Sequence, residues 1–358
     1  MASILFSALR LRGVEFKNRI GVAPMCQYCS RDGLADSWHM VHLGSRAVGG
    51  AGMVMFEASA VSPEARITQA DLGIWNDEQA AALRPIAAFI ADQGAVPVIQ
   101  LAHAGRKGST QVPWEGRRAV PIEQGGWPVQ ASSAVPFNDE YPLPESMSQA
   151  DIANVADLFA RAARRSLAAG MRGVELHMGH GYLMHQFLSP LANRRTDRYG
   201  GAFENRVRAP LEVAAAVREA WPAELPLMVR LSATDWLEGG WDLPQSVELA
   251  RRMKALGVDL VDCSSGSILP ASRGDAAPGY QVPFAARIRR EAGVPTAAVG
   301  LITQANQAED ILRQGQADMV FLARELLRDP YWPLRAAAAL DAPTAWPVQY
   351  ARAVQGGR

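Results

Sequence analysis

The sequence predicts a (β/α)8 barrel, a TIM barrel, and three observations carry that prediction. Short apolar runs and two-faced helical stretches alternate about eight times along the chain. The length, 358 residues, is long for an ordinary single domain but suits one barrel with extended loops. The phosphate-binding turn that an open doubly wound sheet would place after its first strand is missing. Gly49-Gly50-Ala51-Gly52 precedes a strand instead of following one, so it reads as a tight turn.

Taken in order, Phe6 to Phe16 looks like a hairpin around Gly13 that plugs the barrel floor. Asn18–Ala23 is the first strand, closed by Pro24, and Trp38–Val48 the first helix, stopped by Gly49-Gly50. Strand two is Met53–Ala58, followed by a polar loop through Arg66 and Asp71 and a helix from about Glu78 to Gln93. Strand three, Val96–Leu101, leads into a Gly-, Pro- and Trp-rich excursion over residues 108–144. Excursions of that length usually form lids or binding loops. Ser148 and Asp151 can cap a helix over Ile152–Ala169. Strand four is Gly173–His177, a helix spans Phe203–Ala220, and strand five is Leu227–Leu231. A helix over Ser246–Ala255 precedes strand six, Leu260–Ser264, and a second long loop runs from Ser265 to Pro283. Strand seven is Thr296–Val299, a helix spans Gln304–Arg313, strand eight is Met319–Leu322, and Trp332–Leu340 is a last helix. No linker or low-complexity segment divides the chain. One domain is expected over 1–358, with a tail over 341–358.

Composition narrows the function classes. Hydrophobic residues at 49% allow a sizeable core. The 36 basic and 36 acidic residues cancel, which gives no electrostatic reason to expect nucleic acid or a membrane surface. No apolar run approaches the ~18 residues of a membrane span. Three cysteines, an odd number, argue against a disulfide framework and for a reducing, cytoplasmic setting.

Barrel chemistry sits where strands end, because the βα loops converge there. Glu175 to Pro190 is the richest such stretch: His177, His180 and Tyr182 follow strand four across a Gly-rich turn. Two imidazoles can donate to one ligand oxygen, and a phenol with an ordinary pKa near ~10 stays protonated at neutral pH. The bland reading is strand-end residues satisfied by local backbone. A zinc site through His177, His180 and His185 is the other rival, but no carboxylate or cysteine joins them at ligand spacing. Arg230, inside an apolar strand, is a buried cation that needs an anionic partner. Gln100 is a buried amide that needs one too. Gly300, Ala323 and Arg324 follow the last two strands and are expected to open helices facing a phosphate. These features together fit flavin mononucleotide (FMN), phosphate at strands seven and eight, ring across the barrel mouth. Cys26-Gln-Tyr-Cys29 has the spacing of a redox dithiol or half a zinc site. Without a second half, a single functional thiol at Cys26 is preferred, with Cys29 incidental and Cys263 in the core.

Four motifs carry a resemblance. Pro24-Met-Cys-Gln-Tyr28, His103-Ala-Gly-Arg-Lys107, His177-x-x-His-Gly-Tyr-Leu183 and Asn193-Arg-Arg-Thr-Asp-Arg-Tyr-Gly-Gly201 resemble the Old Yellow Enzyme family of flavin-dependent ene-reductases, in its bacterial, thermophilic-like and xenobiotic-reductase branch. The likeness runs from about Leu5 to Arg352. It implies that Ala23, Pro24, Met25, Cys26, Ala60, Gln100 and Arg230 hold the isoalloxazine, and that Gly300, Ala323 and Arg324 hold the phosphate. It further implies that Cys26 tunes the flavin, that Tyr28, His177 and His180 hold the substrate oxygen, and that Tyr182 donates the proton. Arg352, in Pro347-Val-Gln-Tyr-Ala-Arg352, would reach a neighbouring active site in a homo-oligomer. The family usually has glycine where Ala323 stands, and the 108–144 excursion matches loosely. The implied reaction uses NAD(P)H, with NADPH preferred, to reduce activated alkenes. A metal-dependent lyase or hydrolase would need clustered ligands, and Glu57 and Glu175 are not in metal spacing with the histidine pair. A non-catalytic flavin carrier would leave Tyr182 and its two histidines without a purpose.

Overall fold

A computed structural model describes residues 2–355. The chain opens with an antiparallel hairpin of β1 (Leu9–Leu11) and β2 (Val14–Phe16). There follow β3 (Ile20–Val22), α1 (Ser37–Val48), β4 (Met53–Ala60), α2 (Asp77–Asp92) and β5 (Val96–Ala102). The excursion after β5 contains β6 (Gln130–Ala131), which pairs with β7 (Glu145–Ser146). Next are α3 (Gln149–Ala168), β8 (Gly173–Met178), α4 (Leu183–Leu188), α5 (Phe203–Arg206), α6 (Arg208–Ala220) and β9 (Leu227–Ser232). The last third supplies α7 (Leu243–Ala255), β10 (Leu260–Ser264), α8 (Val282–Ala292), β11 (Thr296–Ala298) and α9 (Ala305–Arg313). It ends with β12 (Met319–Leu322), α10 (Arg324–Arg328), α11 (Trp332–Ala339) and α12 (Ala351–Gln355).

Strands β3, β4, β5, β8, β9, β10, β11 and β12 close in that order into one parallel barrel. The barrel strands are buried along their whole length, which explains their near-continuous apolar runs. Polar exceptions inside the strands are therefore informative. Glu57 falls at a register shift between β4 and β5, which leaves it without a paired residue on β5.

The hairpin closes the floor as expected. The N–H of Gly13 donates to Glu224 O at 2.9 Å, and Arg12 reaches Asp259 and Gly257 O, all in turns that lead into β9 and β10. Ser148 caps α3 as expected, and Asp36 and Asn76, which the sequence reading did not name, likewise accept from the first turns of α1 and α2.

Several boundaries differ from expectation for identifiable reasons. The first strand starts at Ile20, not Asn18, because the Asn18 side chain takes over the hydrogen bonding there, accepting from Ile20 N and donating to Gly50 O. The expected helix over Phe203–Ala220 breaks at Val207, since Pro210 cannot donate to the Arg206 carbonyl. Helix α7 begins three residues early at Leu243, because Asp242 Oδ1 caps Gln245 N at 3.0 Å. Gly300 does not open a helix. The chain continues as a turn, with Gly300 at φ +121° and Leu301 at φ +51°, and α9 starts only at Ala305. Helix α4 and the β6–β7 pair were not anticipated.

Candidate active site

At the end of β8 the backbone turns sharply, with His180 at φ +55° and Gly181 at φ +76°. A side chain at Gly181 would collide with the Ser267 carbonyl, so glycine is required there. Three bonds hold the turn. Gly181 N–H donates to His185 Nδ1 at 2.9 Å, His180 N–H to Ser232 Oγ at 2.8 Å, and the Lys107 ammonium to His180 O at 2.8 Å.

This turn brings His177, His180 and Tyr182 into one cluster. His177 Nε2 and His180 Nδ1 stand 3.3 Å apart with their rings edge to face, and the Tyr182 ring lies 4.9 Å from that of His177. Gly179 N–H donates to His177 Nδ1 at 3.3 Å, which fixes the proton of neutral His177 on Nε2. His180 Nε2 lies 2.6 Å from Ser264 Oγ on β10. Burial, followed by the charge of Arg230, holds both imidazoles well below the ordinary histidine range, so both are neutral at pH 7. Burial, with Cys26 and Asp71 nearby, raises the Tyr182 phenol, which stays protonated.

Arg230 pairs across strands with His177 on one side and Asp262 on the other. Its Nε lies 2.8 Å from Asp262 Oδ2, at ion-pair distance but without hydrogen-bond alignment. Gln100 finds its partner in Glu175, donating to Oε1 at 2.7 Å. Four adjacent strands thus hold Gln100, Glu175, Arg230 and Asp262 inside the barrel.

Above this group opens a cavity of about 190 Å³ whose wall includes Arg230, Ser264, Gln281, Gly300, Ala323 and Arg324. The phosphate-side residues and Arg230 therefore share one cleft. A methyl at Gly300 would press on Gln281 Nε2 and the Tyr280 ring, so the cradle is cut to a bare backbone. A cationic guanidinium at one end and backbone turns with Arg324 at the other match the donor set that an FMN needs.

The loop after β3 supplies Pro24, Met25, Cys26 and Tyr28. Tyr28 sits at φ +52°, a strained setting for a bulky residue, and its ring meets Trp114 of the excursion edge-on at 6.0 Å. Burial pushes the Cys26 thiol up, helped by Glu57 and Asp71, so it is a neutral thiol. Ala23 and Ala60 spend their N–H groups on Leu322 O and Leu72 O. What Ala60 offers the site is its methyl group, in a wall shared with Ala58, Ala102, Asp71 and Tyr182.

Other expected residues stand apart. His185 accepts from Gly181 N on Nδ1 and sets Nε2 2.9 Å from Asp235 Oδ1, a contact without hydrogen-bond alignment, so both its nitrogens serve groups other than His177 and His180. Cys29, expected to be incidental, lies beside His39 and next to Asp36. Its Sγ is nearly equidistant from the two ring nitrogens, 4.0 and 3.8 Å, which is off both lone-pair axes and unsuited to a shared metal. Cys263 is fully buried in β10. Arg352 is exposed in α12. Reading the sequence did not single out Lys107, Asp71 or Asp262. Lys107 stood inside a quoted motif, whereas Asp262 gives no local signal, because its importance comes from Arg230 on the next strand.

Residues 4–342 match the NADH:flavin oxidoreductase / NADH oxidase family. The chain belongs to that family. Within it, this flavin oxidoreductase is 48% identical over 354 residues to the NADPH dehydrogenase of Geobacillus thermodenitrificans, covering 98% of this chain and 99% of the relative. It is 46% identical to the NADPH dehydrogenase of Bacillus licheniformis, over 98% of each chain. Among solved structures it resembles morphinone reductase, with a TM-score of 0.80 at 27% identity over 96% of this chain and 91% of that one. The Old Yellow Enzyme homologue of Zymomonas mobilis gives 0.78 at 26% identity, over 95% and 94%. The chain is an oxidoreductase of the Old Yellow Enzyme type.

Proposed function

We propose that the chain is an NAD(P)H-dependent ene-reductase that reduces the C=C bond of α,β-unsaturated carbonyl or nitro compounds. Non-covalent FMN, with NADPH as the preferred reductant, would supply hydride transfer through the flavin N5. The observation that carries this reading is the 3.3 Å convergence of His177 Nε2 and His180 Nδ1 beside Tyr182, joined through Ser264 and Arg230 to the cleft that those two residues line with Gly300 and Arg324.

The chemistry of each residue follows from its surroundings. The His177 Nε2–H points at His180 Nδ1. A substrate oxygen that accepts from both nitrogens, approaching from one side of the pair, needs a proton on each of them. Ser264 makes that possible: its Oγ lies 2.6 Å from His180 Nε2, and when its hydroxyl rotates to donate there the imidazole proton sits on Nδ1. Two neutral N–H groups then hold and polarise the carbonyl or nitro group, with Tyr28 closing the same end. Tyr182, protonated throughout the neutral range, delivers its proton to the α carbon. Ala23, Pro24, Met25, Cys26, Ala60 and Gln100 would frame the ring, with the neutral Cys26 thiol tuning it. Arg230 would bring positive charge to the electron-rich edge of the ring. Gly300, Ala323 and Arg324 would hold the phosphate.

The wider organisation belongs to the same proposal. Residues 1–358 form one flavin-binding domain, with 108–144 as a cap over the substrate mouth. Arg352 reaches the active site of a second copy, which its exposure permits. Three free cysteines accord with a cytoplasmic location. Among the described residues no helix is long and apolar enough to cross a membrane. The test is the absorbance of the purified protein under anaerobic conditions. Flavin bands that bleach with NADPH and return with cyclohexenone support the proposal. A colourless protein that FMN does not reconstitute removes it.

A further inference from the structure

We infer that Glu175 is a redox-linked proton site beneath the flavin ring, taking up a proton when the ring is reduced. The inference rests on the flavin reading above and concerns what lies under it. Glu175 on β8, Arg230 on β9 and Asp262 on β10 are three ionisable groups on adjacent strands, and the two carboxylates are fully buried. If all were charged, the group would carry one uncompensated negative charge inside the barrel, which burial strongly opposes.

Arg230 belongs to Asp262, 2.8 Å away. Glu175 is left with one amide donor, Gln100 Nε2, and its Oε2 has no hydrogen-bond partner among the described residues. It is thus the carboxyl group that accepts a proton most readily. The charged groups acting on it are Asp262, which opposes ionisation, and Arg230, which favours it. Burial outweighs Arg230 and raises Glu175 to about 8.

The electron and proton count is simple. Hydride from the nicotinamide brings two electrons and one proton's worth of hydrogen to N5, and leaves one extra negative charge on the ring edge beside Arg230. That charge claims part of Arg230's field and disfavours ionised Glu175. Above the pH at which Glu175 ionises in the oxidised protein, reduction is accompanied by uptake of one solvent proton onto its carboxylate. Two electrons then travel with two protons instead of one. Below that pH the carboxyl is already neutral and nothing more is taken up. Glu175 acts through the ring's environment and does not touch the substrate.

The experiment is a spectroelectrochemical titration of the flavin-loaded protein from about pH 6.5 to about pH 9.5. One proton per two electrons corresponds to about 30 mV per pH unit. The wild-type slope is expected to steepen from about 30 to about 60 mV per unit near pH 8. Glu175→Gln should keep the shallow slope throughout. A break that survives in Glu175→Gln, or a wild type with no break, overturns the inference. Should the variant fail to fold, the reduced-minus-oxidised infrared spectrum of wild type at high pH decides. Appearance of a protonated carboxyl carbonyl band supports the inference, and its absence overturns it. Failure of the wild type to bind FMN at all shows before any slope is read, and removes the flavin reading itself.

Discussion

Replacing Ser264 with alanine isolates the tautomer step on which oxygen binding depends. In the structure Ser264 Oγ lies 2.6 Å from His180 Nε2, and this hydroxyl is what allows the imidazole proton to face inward. In Ser264→Ala the inward tautomer leaves Nε2 without a donor. An unsatisfied buried acceptor costs about 1–3 kcal/mol. His180 keeps partial solvent exposure, so the lower part of that range applies, about 1–2 kcal/mol. That converts to about 5- to 30-fold weaker binding of an oxygen ligand. The assay is an absorbance titration of a para-substituted phenol into oxidised, flavin-saturated protein, wild type against variant. Saturating FMN matters because Ser264 also lines the flavin cleft. Phenol affinity unchanged within about twofold would refute the reasoning, since one of the two inward donors would then not need Ser264.

Other consequences follow from the same geometry. Gly300→Ala forces a side chain onto a backbone at φ +121° and against Gln281, which costs about 1–3 kcal/mol. FMN affinity by fluorescence should fall by at least about fivefold, and unchanged affinity would detach Gly300 from the phosphate cradle. Asp235 accepts from Ser189 Oγ at 2.6 Å and Trp241 N at 2.7 Å and sits against His185. Asp235→Asn should cost about 3 kcal/mol in urea unfolding and weaken phenol binding as the Gly181 turn loosens; phenol affinity unaltered in the folded variant would limit the residue to stability. Burial draws His103 down to about 4 and His42 to about 3, against about 6.5 in an unfolded chain. The unfolded chain therefore binds these protons first. Their contribution is intact above about pH 6.5 and is lost as pH falls toward about 4 for His103 and about 3 for His42. His103→Asn, which can still accept from Gly105 N, should flatten part of that loss; an identical pH profile would assign it elsewhere.

The barrel was legible because each strand is a short apolar run and its helices carry explicit stops and a cap, such as Gly49-Gly50 after α1 and Ser148 before α3. The turn holding His177, His180 and Tyr182 was equally plain, since its glycines and polar residues interrupt an apolar context. Arg230 announced a buried anion, yet its partner Asp262 did not, because cross-strand register is a tertiary fact. The roles of Ser264 and Lys107 depend on atoms that meet only when the strands close. The Phe203–Ala220 segment misled because the helical pattern is continuous, while the break depends on one missing N–H at Pro210. At Gly300 small size was read as a helix start, when the backbone instead uses its positive φ.

The central claim is that Tyr182 protonates the alkene while the histidine pair and the cleft do the rest. Stopped-flow absorbance of Tyr182→Phe, with the two half-reactions measured separately under anaerobic conditions, tests it most directly. Flavin reduction by NADPH should stay within about twofold of wild type, and reoxidation by cyclohexenone should slow by about 10²-fold or more. Equal slowing of both half-reactions, or an unaltered second one, would contradict the assignment of Tyr182 as the proton donor.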